Sequence, residues 1–158
     1  MAMRSVLTSL EELWKKGRLR DLEQDLDLFI RNNLPEIRRL MRDGREAGQE
    51  VARRRYLRGE ITDRQRVDFC MRMMLRKRGT CNARRDIEEQ RDEIEKEVWY
   101  EGERGSRPVA AARREEIARS WASQHASQWR EWRLFQILYV WEKKADQYAD
   151  LFTSSANP

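Results

Sequence analysis

The sequence predicts an all-α fold, an elongated bundle of five or six helices with a long, tryptophan-rich C-terminal helix and a polar helical arm. Three observations lead to this prediction. Apolar residues recur at helical spacing through most of the chain. Two tetrapeptides have the form of a helix-capping box. Four of the six tryptophans lie between residues 113 and 152, in a segment that is apolar around half a helix circumference.

The composition indicates a thin hydrophobic core. Hydrophobic and charged residues each make up 39% of the 158 residues, against typical shares of roughly 45–50% and about 25%. A chain of this length is expected to form one domain, so residues 1–158 are predicted to be a single helical domain. Because apolar residues are few, we expect the bundle to be elongated or to be completed by a second chain.

Charged residues are grouped into blocks within this basic protein. The chain carries 33 basic and 28 acidic residues, a net charge of +5. Residues 31–79 hold 15 basic and 7 acidic residues, a net charge of +8. Residues 84–103 hold 4 basic and 9 acidic residues, a net charge of −5. A basic block beside an acidic block can pair within the fold or with a second copy of the chain.

Cysteine usage and the N-terminus predict a cytoplasmic protein. The two cysteines, Cys70 and Cys81, form no disulfide framework and lack zinc-ligand spacing, which favours a reducing compartment. The first ten residues contain no apolar run of secretory-signal length. The longest nearly apolar run, residues 134–141, is far shorter than the roughly 20 residues of a membrane helix. We therefore expect no membrane span.

Two helices are predicted for the N-terminal region, residues 1–33. A capping box at residues 8–11 is expected to open a short helix that stops near Gly17. Residues 18–32 have the apolar spacing of a one-faced helix. Its apolar positions are Leu19, Leu22, Leu26, Phe29 and Ile30. The two asparagines and Leu34 that follow are expected to break this helix, with Pro35 as the first residue of the next one.

The central helices are predicted within residues 34–101. The first of them is expected to run to about Arg58 and to be capped by Gly59. Gly44 and Gly48 are four residues apart and therefore lie on one face of it. They indicate either a close approach of a second helix or a locally weakened, kinked helix.

Two further central helices follow. A second capping box at residues 62–65 opens a helix that ends at Gly79. Its apolar face consists of Val67, Cys70, Met71, Met74 and Leu75. Residues 83 to about 100 form the polar arm. Only Ile87, Ile94 and Val98 mark its apolar seam, and their spacing is typical of a coiled coil or a hairpin arm.

The last helix is predicted over residues 109–152. A loop at 102–108 precedes it, in which Ser106 is the expected cap and Pro108 a first-turn residue. Its two apolar stripes require more than one neighbouring element to cover them. The polar stretch 123–128 is the expected position of a kink, and residues 153–158 are expected to be a disordered tail.

The residue types of catalysis and cofactor binding are poorly represented. His125 is the only histidine, and it has no acidic residue three or four positions away. It is therefore interpreted as a partly buried structural residue. A di-iron bundle needs Glu-x-x-His motifs, and the sequence has none. Glycine-rich phosphate loops are also lacking. We expect no enzyme activity, no catalytic residue, no cofactor and no metal.

The sequence therefore predicts a non-enzymatic interaction module, a homodimer or a subunit of a larger assembly. Its partner would be a protein or a second copy, bound through aromatic residues of the last helix. These are Trp121, Trp129, Trp132, Tyr139 and Trp141. The alternative is a nucleic-acid-associated regulator that binds phosphates through the basic helices 38–78. The phosphate-binding residues would be Arg53, Arg54, Arg55, Arg76, Lys77 and Arg78.

Overall fold

The computed structural model describes residues 3–43 and 49–153 of the chain. These residues form six α-helices, and no strand lies among them. The helices are α1 (Met3–Lys15), α2 (Arg20–Asp43), α3 (Gln49–Leu57), α4 (Asp63–Arg78), α5 (Ala83–Gly105) and α6 (Ala111–Thr153). The predicted all-α helical bundle with a long C-terminal helix is confirmed.

The helices form two compact units. The core unit consists of Met1–Cys81 and Leu134–Pro158, so it contains α1 to α4 and the C-terminal half of α6. The hairpin unit is Asn82–Arg133, which contains α5 and the N-terminal half of α6. The single domain predicted for residues 1–158 stays a prediction.

Helix α1 starts earlier than predicted. It begins at Met3, so the expected capping box at residues 8–11 lies within the helix and the prediction is wrong. The reason is that Val6 and Leu10 are both buried, which continues the apolar face before Thr8. The predicted end is confirmed, because Gly17 adopts a left-handed φ of 70° and its N–H donates to the carbonyl of Trp14 at 3.1 Å.

Helix α2 runs through Pro35, and the predicted break before this residue is wrong. A proline inside a helix removes one hydrogen bond and costs about 3 kcal/mol. The ring of Pro35 is exposed, whereas Ile30 and Ile37 on either side of it are fully buried. Burying these side chains on one continuous face offsets the cost of the proline, since each contributes about 1.5–3 kcal/mol.

The next predicted helix, from Pro35 to about Arg58, falls partly outside the described residues. Its beginning belongs to α2 and its end to α3, and residues 44–48 between them are not described. The alternatives for Gly44 and Gly48 therefore concern positions outside the described residues and stay predictions. The cap at Gly59 is confirmed by its φ of 74°.

Helix α4 follows its prediction closely. The hydroxyl of Thr62 accepts from the backbone N–H of Gln65 at 3.1 Å, and the side chain of Gln65 accepts from the N–H of Thr62 at 2.8 Å. This reciprocal pair is the predicted capping box. Gly79, with φ 73°, caps the C-terminal end. All five predicted apolar residues of this helix are buried.

The loop between α5 and α6 is shorter than the predicted 102–108. Helix α5 extends through Gly102 to Gly105. Ser106 adopts the left-handed conformation, φ 53°, and its N–H donates to the carbonyls of Gly102 and Glu103. It therefore ends α5 instead of starting the last helix, and α6 begins after Pro108 at Ala111. Gly102 and Gly105 favour a loop by local preference, but glycine is tolerated in the last turn of a helix.

Helix α6 spans 43 residues without interruption, including the polar stretch 123–128 where a kink was predicted. The predicted tail begins one residue too early, because Thr153 is the last residue of the helix. Residues 154–158 lie outside the described residues, and their predicted disorder stays a prediction.

The interior of the core unit is built by α2, α4 and α6. Its fully buried side chains include Leu26, Ile30, Ile37, Val67, Met71, Leu75, Ile137, Val140 and Trp141. Side-chain hydrogen bonds tie α6 to the other two helices. The indole Nε1 of Trp141 donates to Asp68 at 2.8 Å, and the hydroxyl of Tyr148 donates to Asp27 at 2.8 Å. The guanidinium of Arg38 donates to the carbonyl of Leu151 at 2.8 and 3.0 Å.

Candidate interaction surfaces

Three of the five aromatic residues predicted to bind a partner lie in the interior of the chain. Trp141 is fully buried, with 0% exposure, and its ring stacks on Tyr148 at a centroid distance of 6.4 Å. Tyr139 is buried in an edge-to-face contact with Trp14. Trp121 is buried within the hairpin unit. These three side chains contribute to the chain's own packing, and their role in partner binding stays a prediction.

Trp129 and Trp132 are the two predicted residues that remain half-exposed. The ring of Trp129 lies under the guanidinium of Arg133, whose central carbon is 4.8 Å from the ring centroid. A cation over an indole face is a favourable contact of about 0.5–2 kcal/mol. The role of Trp129 and Trp132 in partner binding stays a prediction.

The hairpin unit is an antiparallel pair of helices held at both ends by ion pairs. Near the connecting loop, Arg113 of α6 donates to Glu101 of α5 at 2.8 Å. At the other end, Nε of Arg133 lies 3.3 Å from the carboxylate of Asp86, and Arg133 also contacts Glu89. The apolar residues between these ends are few. The buried ones are Val98, Ile117, Trp121 and Ala126.

The two ends of the hairpin differ in electrostatics. The hydrogen bond from Arg113 holds the pKa of the Glu101 carboxyl below its usual value, and the same bond raises the pKa of the Arg113 guanidinium. This pair is open to solvent, so it contributes little to stability. The Arg133 and Asp86 side chains are only 7% and 13% exposed. Removing one member of such a buried pair is expected to be costly.

The largest exposed aromatic surface lies on α5, at residues that the sequence prediction missed. Trp99 is 60% exposed and Tyr100 is 53% exposed. Their rings meet edge to face, with a centroid distance of 5.2 Å. Trp99 follows Val98 by one residue, so it points about 100° away from the apolar seam of the hairpin. This position away from the apolar seam is the feature of the sequence that indicates the exposure of Trp99.

Acidic residues surround Trp99 on its own face of α5. Asp92 and Glu103 lie seven residues before and four residues after it, and both are exposed. Glu95, one turn before Trp99, contacts Arg114 at 2.7 Å. Lys96 contacts Glu93 at 3.0 Å, which raises the pKa of the Lys96 ammonium. The exposed indole therefore lies in an acidic setting.

A second surface feature is a cleft between α3 and α4 in the core unit. Its volume is about 280 Å³, and apolar side chains, including the exposed Val51 and Phe69, form much of its lining. Ile61 and Met73 complete this apolar part. The exposed guanidinium-bearing residues Arg55 and Arg76 also line the cleft. Its one carboxylate, Asp68, is engaged by the Trp141 indole and by Arg72.

The predicted phosphate-binding residues lie on α3 and α4, but half of them contact carboxylates. Arg54 lies 3.2 Å from Glu50, Arg55 lies 3.4 Å from Glu60, and Arg78 lies 2.9 Å from Glu36. Arg53 and Arg76 form no ion pair within the described part of the chain, and Lys77 has an interaction partner. The basic block is therefore partly neutralised by its own helices. Its role in phosphate binding stays a prediction.

His125 is exposed, and its predicted partial burial is wrong. Its ring is tilted against Trp121 at a centroid distance of 6.0 Å. The next residue of α6, Ala126, is buried, so burial in this helix changes within one residue. His125 lines a shallow hairpin cleft of about 190 Å³ together with Ser120, Gln124 and Glu97.

The described residues contain no group of three or more His, Cys, Asp or Glu side chains that could hold a metal ion. None of their helices combines the length and the apolar composition needed to cross a bilayer.

Comparison with known proteins gives no match, since no protein family, no curated protein and no solved structure is significantly similar to this chain.

Proposed function

We propose that this chain is a non-enzymatic helical protein–protein interaction module, a homodimer or a subunit of a larger assembly, with an adaptor, regulatory or structural role in the cytoplasm. The observation that carries this proposal is the exposed aromatic pair Trp99–Tyr100 on α5. Tryptophan and tyrosine are enriched at protein interfaces and dominate binding hot spots.

The structure of the hairpin unit supports an interface at this pair. Two helices alone bury little apolar surface, and part of the interior of this unit is an ion pair, Asp86–Arg133. Covering Trp99 and Tyr100 with a partner removes apolar surface from water, at roughly 25 cal/mol per Å². The half-exposed Trp129 and Trp132 of α6 offer further aromatic surface in the same unit.

The alternative, phosphate binding through α3 and α4, has weaker support. Proteins that bind single-stranded nucleic acid place aromatic rings in positively charged grooves. Here the exposed pair lies on an acidic helix, with Asp92 and Glu103 beside Trp99. Three of the six candidate phosphate ligands already contact carboxylates. The favourable observation for this alternative is that Arg53 and Arg76 form no ion pair among the described residues.

The proposal is tested by removing the aromatic pair. The double variant Trp99→Ser/Tyr100→Ser is compared with Leu28→Ser, which removes a side chain that is 58% exposed on α2. We expect the double variant to lose both concentration-dependent self-association in sedimentation and capture of protein partners from nuclease-treated lysate. Leu28→Ser should behave as the wild type.

Two results would contradict the proposal. If the double variant associates as strongly as the wild type, the aromatic pair is not an interface. If all capture disappears on nuclease treatment and binding to nucleic acid falls steeply with salt, the phosphate-binding alternative is supported instead.

A further inference from the structure

We infer that the chain recognises a second copy of itself, and that Trp99 of one copy inserts into the α3–α4 cleft of the other. This inference rests on the proposed function and names the partner and the receiving surface. Its starting point is that one chain carries both an exposed aromatic side chain and a cleft with an apolar lining.

Size and polarity match between the two surfaces. The cleft, at about 280 Å³, lies at the lower limit of the roughly 300–1,000 Å³ of small-molecule pockets. It therefore suits one large side chain. Val51, 55% exposed, and Phe69 present apolar atoms to an incoming ring. An aromatic anchor in a small apolar pocket is the usual centre of an interface hot spot.

The charges of the cleft and of the helix that carries Trp99 are also complementary. Arg55 and Arg76 are exposed where they line the cleft, and Arg76 forms no ion pair among the described residues. On α5, the exposed carboxylates of Asp92 and Glu103 flank Trp99 on both sides. An acidic helix laid over a cleft with arginines beside it gives complementary potentials, which favour encounter and fix orientation.

The charge distribution also favours a second copy of this chain, instead of an unrelated acidic helix, as the partner. Residues 31–79, which include the cleft, carry a net charge of +8, and residues 84–103, which include Trp99, carry −5. Both surfaces are exposed in the single chain, as the values for Val51 and Trp99 show. Because every copy presents both surfaces, the contact can form between identical chains.

The inference is tested by complementation between two variants of the full chain. The arm variant is Trp99→Ser, and the cleft variant is Arg55→Glu/Arg76→Glu. Each variant alone lacks one of the two surfaces, so we expect its self-association midpoint to rise about tenfold or more. An equimolar mixture unites an intact cleft with an intact Trp99, and we expect it to associate where neither variant does.

Two additional variants test whether the loss of self-association is specific to the cleft and is not caused by a general change of charge. Arg18→Glu/Arg39→Glu makes the same charge change at two exposed arginines that do not line the cleft. This variant should associate as strongly as the wild type. Val51→Asp places a carboxylate in the apolar part of the cleft and should weaken self-association as much as the cleft variant does. Circular dichroism of every variant establishes that the helices are retained.

The outcomes decide separately on this inference and on the proposed function. A wild-type chain that stays monomeric at about 100 μM overturns the inference, as does a mixture of arm and cleft variants that fails to associate. If that monomer still captures another protein through Trp99, the proposed function stands. Self-association that resists both variants places the interface elsewhere and overturns the inference.

Discussion

The two halves of helix α6 are packed in different ways. In the core unit, Trp141, Tyr148 and Phe152 are buried, and two of them donate hydrogen bonds to aspartates of other helices. In the hairpin unit, Trp129 is half-exposed, and the most buried basic side chain is Arg133. One half of the helix fills a hydrophobic interior, whereas the other half shares a thin interior with a single helix.

An aromatic residue of this chain is buried or exposed according to the number of helices that pack around it. Trp141 donates to Asp68 of α4, contacts Tyr148 and Phe152 of its own helix, and is removed completely from water. Trp99 lies on a two-helix unit and is 60% exposed. Stability of the core unit should therefore depend on apolar packing, and stability of the hairpin unit on its buried ion pair.

The largest expected effect is that of Trp141→Ala in the core unit. Truncating a fully buried tryptophan leaves a cavity and should lower the free energy of unfolding by about 3–5 kcal/mol. Urea denaturation followed by circular dichroism measures this loss. Trp99→Ala, measured below the self-association midpoint, is the matched control, and because Trp99 is exposed in the single chain its effect should remain within about 0.5 kcal/mol. Similar losses for both variants would contradict the contrast between the units.

The next effect is that of Arg133→Met in the hairpin unit. It leaves the Asp86 carboxylate buried without its guanidinium, which should cost about 3 kcal/mol. Hydrogen exchange of the amides of Asn82–Arg133 measures the loss locally. The double variant Asp86→Leu/Arg133→Met removes both charges and should recover most of the protection. If the double variant is as unstable as the single one, the ion pair is not the source of the effect.

A smaller effect is expected for Tyr148→Phe, which removes the hydrogen bond to Asp27. A hydrogen bond to a charged group contributes about 1.5–3 kcal/mol, so a loss near the lower value is expected. Hydrogen bonds from Arg31 and Tyr148 lower the pKa of Asp27. A lowered carboxyl pKa stabilises the fold above the ordinary aspartate pKa of about 3.9, and this stabilisation is lost as pH falls through the lowered value.

The difference in unfolding free energy between wild type and Tyr148→Phe should therefore shrink as pH falls below about 4. Urea titrations between neutral pH and about pH 2 test this. Tyr100→Phe serves as the control, because Tyr100 is exposed and its removal should have no effect at any pH. A constant difference across this range would show that Asp27 does not carry the interaction.

The smallest effects are expected at the helix caps, one in each unit. Thr62 caps α4, and the side chain of Asn82 accepts from the N–H of Arg85 at 3.1 Å to cap α5. Each alanine substitution should cost about 1 kcal/mol. Hydrogen exchange should rise in the core unit for Thr62→Ala and in the hairpin unit for Asn82→Ala. Thr62→Ser retains the hydroxyl and should keep most of the stability.

Features determined by neighbouring residues were predictable from the sequence. The capping box at Thr62, the glycine caps at Gly17, Gly59 and Gly79, and the buried face of α4 all lie where the local pattern placed them. These features depend on hydrogen bonds and periodicity within one or two turns of helix, so the necessary information is contained in a few adjacent residues.

Features that depend on distant residues were predicted less well. Pro35 has the local character of a helix start, yet the helix continues because Ile30 and Ile37 are buried by other helices. His125 lies four residues from both Trp121 and Trp129, yet it is exposed. In both cases the tertiary contacts supply more free energy than the local preference of the chain.

The sequence alone therefore established an all-α chain, several of its helix ends and its division into basic and acidic blocks, because composition and local hydrogen bonding suffice for these. Only the tertiary structure separated the buried Trp141 from the exposed Trp99 and placed an apolar cleft beside Arg76. A tryptophan is buried or exposed according to the helices that pack against it. Those helices are distant in the sequence, and helical periodicity within one segment does not identify them.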